Sequence, residues 1–111
     1  MQQLPYYNCF FQTARPPGIE LSTALCGISP PQFNRAFFTG SGSEANDTVI
    51  KLVRRYWDLL GKADKMGIIS RKNAYHGSTV AASTRSGMDG MQKQTGGLLP
   101  GIEHLEHTDY I

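Results

Sequence analysis

Two short runs in this chain carry groups whose type and spacing could do chemistry: Gly40-Ser41-Gly42-Ser43 and Tyr75-His76-Gly77. The first opens a long amphipathic stretch and has the composition of an anion-binding turn. A helix start presents backbone N–H groups without partners, together with the positive end of the helix dipole. Gly40 and Gly42 let the backbone come close to a ligand, and Ser41 and Ser43 add hydroxyl donors. The second run offers an aromatic face and an imidazole, which together could stack on a planar phosphorylated ring. Each run also has a plainer reading. Gly/Ser turns with a capping box precede many helices that bind nothing, and Tyr-His-Gly is equally a turn with a half-buried tyrosine and a solvated histidine.

Other clusters point less clearly to chemistry. The Gly/Ser run lacks the Gly-x-x-x-x-Gly-Lys-Ser/Thr spacing of a P-loop, and Gly40-Ser41-Gly42 is followed by Ala45 rather than a third glycine. Glu103, His104 and His107 invite a metal reading. The histidines are spaced i, i+3, not the i, i+4 of a helical zinc pair, and on a strand they face opposite sides, so no metal site is expected. Cys9 and Cys26 are too few to frame a disulfide scaffold and read as ordinary thiols. Tyr6, Tyr7, Phe10 and Phe11 form an aromatic cluster typical of a core or an interface.

The elements that must hold the two runs follow from periodicity. A short helix is expected over residues 19–26, with Pro16-Pro17-Gly18 at its start and Gly27 and Pro30-Pro31 at its end. Residues 35–39 are a short apolar run and read as a buried strand. Residues 43–60 give the strongest helical pattern. Ala45, Val49, Leu52, Val53, Tyr56 and Leu60 form one face, and Asp47, Lys51, Arg54, Arg55, Asp58 and Lys62 form the other. Ser41 and Glu44 match a capping box, and Gly61 stops the helix. Residues 67–71 read as a second strand, 73–77 as a loop, 78–86 as a helix capped near Ser78 or Thr79, and 101–107 as a third strand. Residues 88–97 carry no clear pattern. The first two strands with the long helix between them make a parallel βαβ unit. Ligands in such sheets sit beyond the carboxyl ends of the strands, so the 40–43 and 73–77 loops are expected at one pocket.

Bulk properties bound the rest. At 111 residues, 40% hydrophobic and 18% charged, the chain has the make-up of one small globular domain. A net charge of +2 without a basic aromatic stripe points away from nucleic acid. No apolar run reaches membrane-spanning length and no signal-peptide pattern opens the chain, so the expected location is cytoplasmic. Neither end carries a lead-in or closing element, which makes residues 1–111 read as a single partial domain.

Several motifs resemble class III pyridoxal-phosphate aminotransferases, with the omega-transaminases, including the β-alanine–pyruvate type, as the nearest group. They are Phe37 to Thr48 (FFTGSGSEANDT), Val53 to Trp57 (VRRYW), Ile69 to Asn73 (ISRKN) and Tyr75 to Thr79 (YHGST), in family-like order and spacing. The opening Leu4 to Phe11 also matches. The likeness covers nearly the whole chain and weakens after Ile102. It departs at Gly40, where the family usually has Asn or Thr, at Cys9 in place of Thr, and in the tail from His104.

The resemblance implies an α/β fold, as part of the large, three-layer, mostly parallel cofactor domain of fold-type I enzymes. It implies pyridoxal 5'-phosphate as cofactor. Ser41, Gly42 and Ser43 would hold its phosphate, and Tyr75 would stack on its ring with His76 alongside. Phe10 would line the substrate pocket across a homodimer. Asn46 and Asp47 would support the loop. The reaction would be amino transfer between an amine donor and an oxo acid such as pyruvate. The family's Schiff-base lysine lies in a motif downstream of this chain. Lys51, Lys62, Lys65, Lys72 and Lys93 do not sit in that motif, and no residue here is assigned as catalytic. The alternative is a truncated, non-catalytic product that binds the cofactor weakly or not at all.

Overall fold

The computed structural model describes residues 13–107. The Tyr6/Tyr7/Phe10/Phe11 cluster, Cys9 and the tail from 108 lie outside the described residues. The chain forms two units, residues 1–38 and 39–111. In the first, helix α1 spans Pro16–Ile28, with Pro16 at the first helical position, where its missing N–H costs nothing. The helix starts three residues earlier and ends two residues later than its pattern suggests, passing through Gly27 before Ser29 caps it. Residues 35–39 form no strand. A strand needs a partner for its N–H and C=O groups, and nothing among the described residues pairs with this run. Phe37 and Phe38 are exposed.

The second unit is a small α/β arrangement: α2 (Gly42–Leu59), β1 (Ile68–Arg71), α3 (Val80–Arg85), α4 (Asp89–Gln92), a 3-10 turn (Lys93–Thr95) and β2 (Ile102–Leu105). β1 and β2 pair in parallel, with Ile68 opposite Ile102, Ser70 opposite His104 and Arg71 opposite Leu105. A parallel β-α-β connection is therefore present, but α3 and α4 fill it. The expected unit across α2 does not form, because its first strand is missing.

α3 supplies the most deeply buried surface, and that surface is small and polar. Ala82, Ser83, Thr84 and Ser86 are all buried, and their hydroxyls are satisfied locally. Thr84 Oγ1 donates to Val80 O (2.8 Å) and accepts from Leu99 N (3.3 Å); Ser86 Oγ donates to Ala82 O (3.0 Å). Two glycines allow the close packing. A Cβ on Gly87 would sit 2.1 Å from Arg71 O, and one on Gly77, where φ is +126°, would sit 2.4 Å from Ser43 Oγ. Gly87 lies beside the end of β1, bridges to Lys72, and exchanges backbone hydrogen bonds with Asn73 and Ala74 (each 2.9 Å). That fixes where the chain leaves the sheet to form the 73–77 turn.

The long helix is where its pattern places it, but it is rotated. The covered residues of α2 are Ser43, Ala45, Asn46, Asp47, Thr48, Ile50, Val53, Arg54 and Trp57. Ala45 and Val53 belong to the expected apolar face, but the set is centred roughly a third of a turn from it at 100° per residue. Val49, Leu52, Tyr56 and Leu60, expected to face the core, are exposed. Asp47 and Arg54, expected to face solvent, are partly covered. Hydrogen bonds from the polar side chains of the covered face set the rotation.

Candidate functional site

The N-terminus of α2 is capped as its sequence specifies. Ser41 Oγ accepts from Glu44 N (3.2 Å). The Glu44 carboxylate reaches back to Gly40 N (2.7 Å), one residue before the usual capping-box donor. Gly40, the position that departs from the family pattern, is thus tied down by its own N–H. Thr39 Oγ1 closes the turn by donating to Ser41 O (3.0 Å). These contacts use the N–H groups of Gly40 and Glu44. They leave the N–H groups of Gly42 and Ser43 without an acceptor among the described residues. A Cβ on Gly42 would meet nothing within 4 Å.

The 75–79 turn is docked onto one face of α2 by three side chains spaced i, i+3 and i+4. Ser43 Oγ accepts from Ser78 N (3.1 Å). Asn46 Nδ2 donates to His76 O (2.6 Å). Asp47 Oδ1 accepts from Thr79 Oγ1 (2.7 Å). Thr79 also caps α3 by accepting from Ala82 N (3.3 Å). On the far side of the turn, His76 N donates to the buried Ser86 Oγ (2.9 Å). The turn is therefore gripped from α2 and α3 together.

The result is a concave pocket of about 360 Å³ lined by Ser41, Gly42, Ser43, Asn46, Tyr75, His76 and Gly77. The structure thus brings together all five cofactor-site residues expected within the described region. The sixth expected site residue, Phe10, lies outside it. Asn46 joins the lining, and its signal was available: it sits one turn beyond Ser43 on the same helical face. The Ser43 hydroxyl, having accepted from Ser78, still has its own proton to donate. The Tyr75 side chain is open, with the residue 64% exposed. The His76 imidazole has its pKa lowered by burial first, then by the positive charge of Arg85 and by His104, so the neutral ring is favoured.

A second, larger concavity of about 440 Å³ lies at the carboxyl ends of β1 and β2, lined by Lys72, Asn73, Gly87, Asp89, Glu106 and His107. Its charges are mixed, and Lys72 is engaged in an ion pair with Glu106, whose hydrogen bond and charge raise the lysine pKa. The helix end at its rim is that of α4, a single turn whose first residue is the acidic Asp89. Among the described residues no His/Cys/Asp/Glu group is arranged to hold a metal, and no helix is long and apolar enough to cross a membrane. All five lysines lie within the described residues, and none lines the 360 Å³ pocket.

Residues 6–111 match the model of the family "Aminotransferase class-III". The chain belongs to that family. The putrescine–pyruvate aminotransferase of Pseudomonas aeruginosa is 50% identical over 105 residues, which is 95% of this chain and 23% of that protein. The beta-alanine–pyruvate aminotransferase of the same organism is 41% identical over 102 residues, 92% of this chain and 22% of that one. Among solved structures, the omega transaminase of Pseudomonas jessenii in complex with PMP superimposes with a TM-score of 0.87 at 43% identity, covering 94% of this chain and 23% of that one. This class III chain therefore spans less than a quarter of the length of these relatives.

Proposed function

We propose that residues 40–43 and 75–77 are the phosphate cup and ring platform of a pyridoxal-phosphate site in an amine–pyruvate transaminase. The observation that carries this reading is the pair of unclaimed N–H groups at Gly42 and Ser43. They sit at the positive end of an 18-residue helix, in a pocket that also holds an open tyrosine ring. The donor set fits a phosphorylated pyridine. Two backbone N–H groups and the Ser41 and Ser43 hydroxyls suit phosphate oxygens, and the Tyr75 ring suits a planar heterocycle. The neutral His76 adds bulk beside the ring without a second full charge. Bound there, the cofactor would act as an electron sink for amino-group chemistry. This chain's residues would bind it and orient it.

The relatives' names support an amine donor and pyruvate as the two substrates. On this reading the chain is part of the large domain of a fold-type I enzyme that works as a homodimer, with Phe10 at the substrate side. None of the five lysines lines the pocket, so the reading assigns the described residues binding and orientation of the cofactor and no covalent step.

Pyridoxamine phosphate tests this cleanly, because it has no aldehyde to react with surface lysines. Calorimetric titration is expected to show binding, with pyridoxamine lacking the phosphate at least about tenfold weaker, since charge-assisted hydrogen bonds to the phosphate are lost. Equal affinity for the two compounds contradicts the reading.

A further inference from the structure

Arg85 ends α3 and does not line the pocket, yet it is wired to it. Its Nη1 donates to Asn46 Oδ1 (2.6 Å), and Asn46 Nδ2 donates in turn to His76 O (2.6 Å). The two contacts leave the carboxamide one orientation. A guanidinium only donates, so the oxygen must face Arg85; a carbonyl only accepts, so the nitrogen must face His76. The relay is part-buried at both steps, where such bonds are stronger than in water. Arg85 Nε is buried and makes no hydrogen bond among the described residues, so the guanidinium is oriented by Asn46.

We propose that Arg85 is a positioning residue for this site: through the Asn46 carboxamide it holds the His76 carbonyl, and with it the Tyr75 ring, against the N-terminus of α2. The charge on Arg85 polarises the amide and strengthens its grip on the carbonyl. The same charge reaches the His76 imidazole, on which Arg85 from α3 and His104 from β2 both act. Asp47, on the α2 face beside Asn46, is engaged by Thr79. The role in ligand binding rests on the proposed pyridoxal-phosphate site; the grip on the turn does not.

The test is a double-mutant cycle in the 111-residue chain, with Arg85→Met, Asn46→Ala and the pair, plus Arg85→Lys. Pyridoxamine phosphate affinity should fall about tenfold in each single variant. If Arg85 acts through Asn46, the double variant should be no more than about twofold weaker than either. Arg85→Lys keeps a charged donor and should recover most of the loss. Two readouts by NMR need no ligand. The Asn46 side-chain amide protons should exchange slowly in the wild type and in Arg85→Lys, and fast in Arg85→Met. The His76 imidazole should titrate at higher pH in Arg85→Met than in the wild type. If the wild type binds no pyridoxamine phosphate, the site reading fails while these readouts still decide the role of Arg85. Independent, multiplying losses in the double variant, or fast Asn46 exchange in the wild type, would overturn the inference. Should Arg85→Met fail to fold, Arg85→Gln removes the charge within a polar side chain, and a fall in affinity with a rise in the His76 titration is expected from it, with no change in either overturning the inference.

Discussion

The two halves of α2 behave in opposite ways. In the first two turns Ser43, Asn46 and Asp47, all polar, are bonded to the 76–79 turn. In the later turns Leu52, Tyr56 and Leu59, all large and apolar, are 61%, 57% and 67% exposed. Hydrophobic burial normally decides which way a helix faces, at about 25 cal/mol per Å² of apolar area. Here three directed hydrogen bonds, each worth about 1 kcal/mol net, set the rotation instead. The neighbouring α3 contributes Ala82, Ser83 and Thr84, with Ser86 just beyond it, which offer little apolar surface to compete. The unit is thus arranged around the polar joint that builds the pocket.

Breaking that joint should do more damage than trimming the exposed stripe. The largest effect is expected at Gly77. Its substitution by alanine would place a Cβ 2.4 Å from Ser43 Oγ and 2.9 Å from Ser43 Cα at a φ of +126°, combining overpacking with backbone strain for a loss of about 4 kcal/mol. Gly67→Ala, with open space around its Cβ, should stay within about 0.5 kcal/mol of the parent. Urea denaturation followed by the fluorescence of Trp57 measures both. If Gly77→Ala is as stable as Gly67→Ala, the docking of the turn on α2 is wrong.

A smaller contrast separates the two faces of the helix. Ile50 is 4% exposed, and Ile50→Ala should lose about 2–3 kcal/mol. Leu52→Ala, two residues away on the open stripe, should change stability by less than about 0.5 kcal/mol. The same denaturation series reads both, and a reversed order would restore the rotation that the apolar pattern suggests.

Next comes the cap shared by the turn and α3. Thr79→Val removes the hydroxyl that donates to Asp47 and accepts from Ala82 N, for an expected loss of about 1–2 kcal/mol. Thr79→Ser keeps both bonds and should recover most of it. Parity between Val and Ser would mean the Asp47–Thr79 contact contributes little.

The smallest effect is a pH dependence. His76 has a lowered pKa in the folded chain, so below the ordinary imidazole value of about 6.5 the unfolded state binds more protons than the folded one. The contribution of His76 to stability is therefore fully present above that pH and is lost as pH falls through the lowered folded value. His76→Gln should flatten this part of the stability–pH curve. A curve of unchanged slope would assign the dependence to other groups.

Much of this was legible in the residues. The α2 boundaries, the capping box, β1, β2 and an α3 cap at Ser78 or Thr79 follow from local pattern, because caps, glycines and short apolar runs act locally. The meeting of the 40–43 and 73–77 loops was expected from a βαβ unit whose first strand does not form, and side chains of α2 bring it about instead. Two features were not. The expected strand at 35–39 has the right composition, but pairing is a non-local property that composition does not carry. The rotation of α2 was hidden because amphipathicity assumes an apolar partner. Only the positions of Ser78, His76 and Thr79 in space make Ser43, Asn46 and Asp47 the docking face. Arg85 escaped for the same reason, being 39 residues from Asn46 in sequence.

The central claim is that the N–H groups of Gly42 and Ser43, which find no acceptor among the described residues, receive a phosphate. The direct measurement is a pyridoxamine phosphate titration of the 15N-labelled chain, followed through backbone amide shifts. The Gly42 and Ser43 amide protons should move downfield together and saturate with one affinity, with the Tyr75 and His76 signals following and those of Asp89 and Glu106 unmoved. Perturbation centred on Lys72, Asp89 and Glu106, or no saturable change at Gly42 and Ser43, would contradict the account.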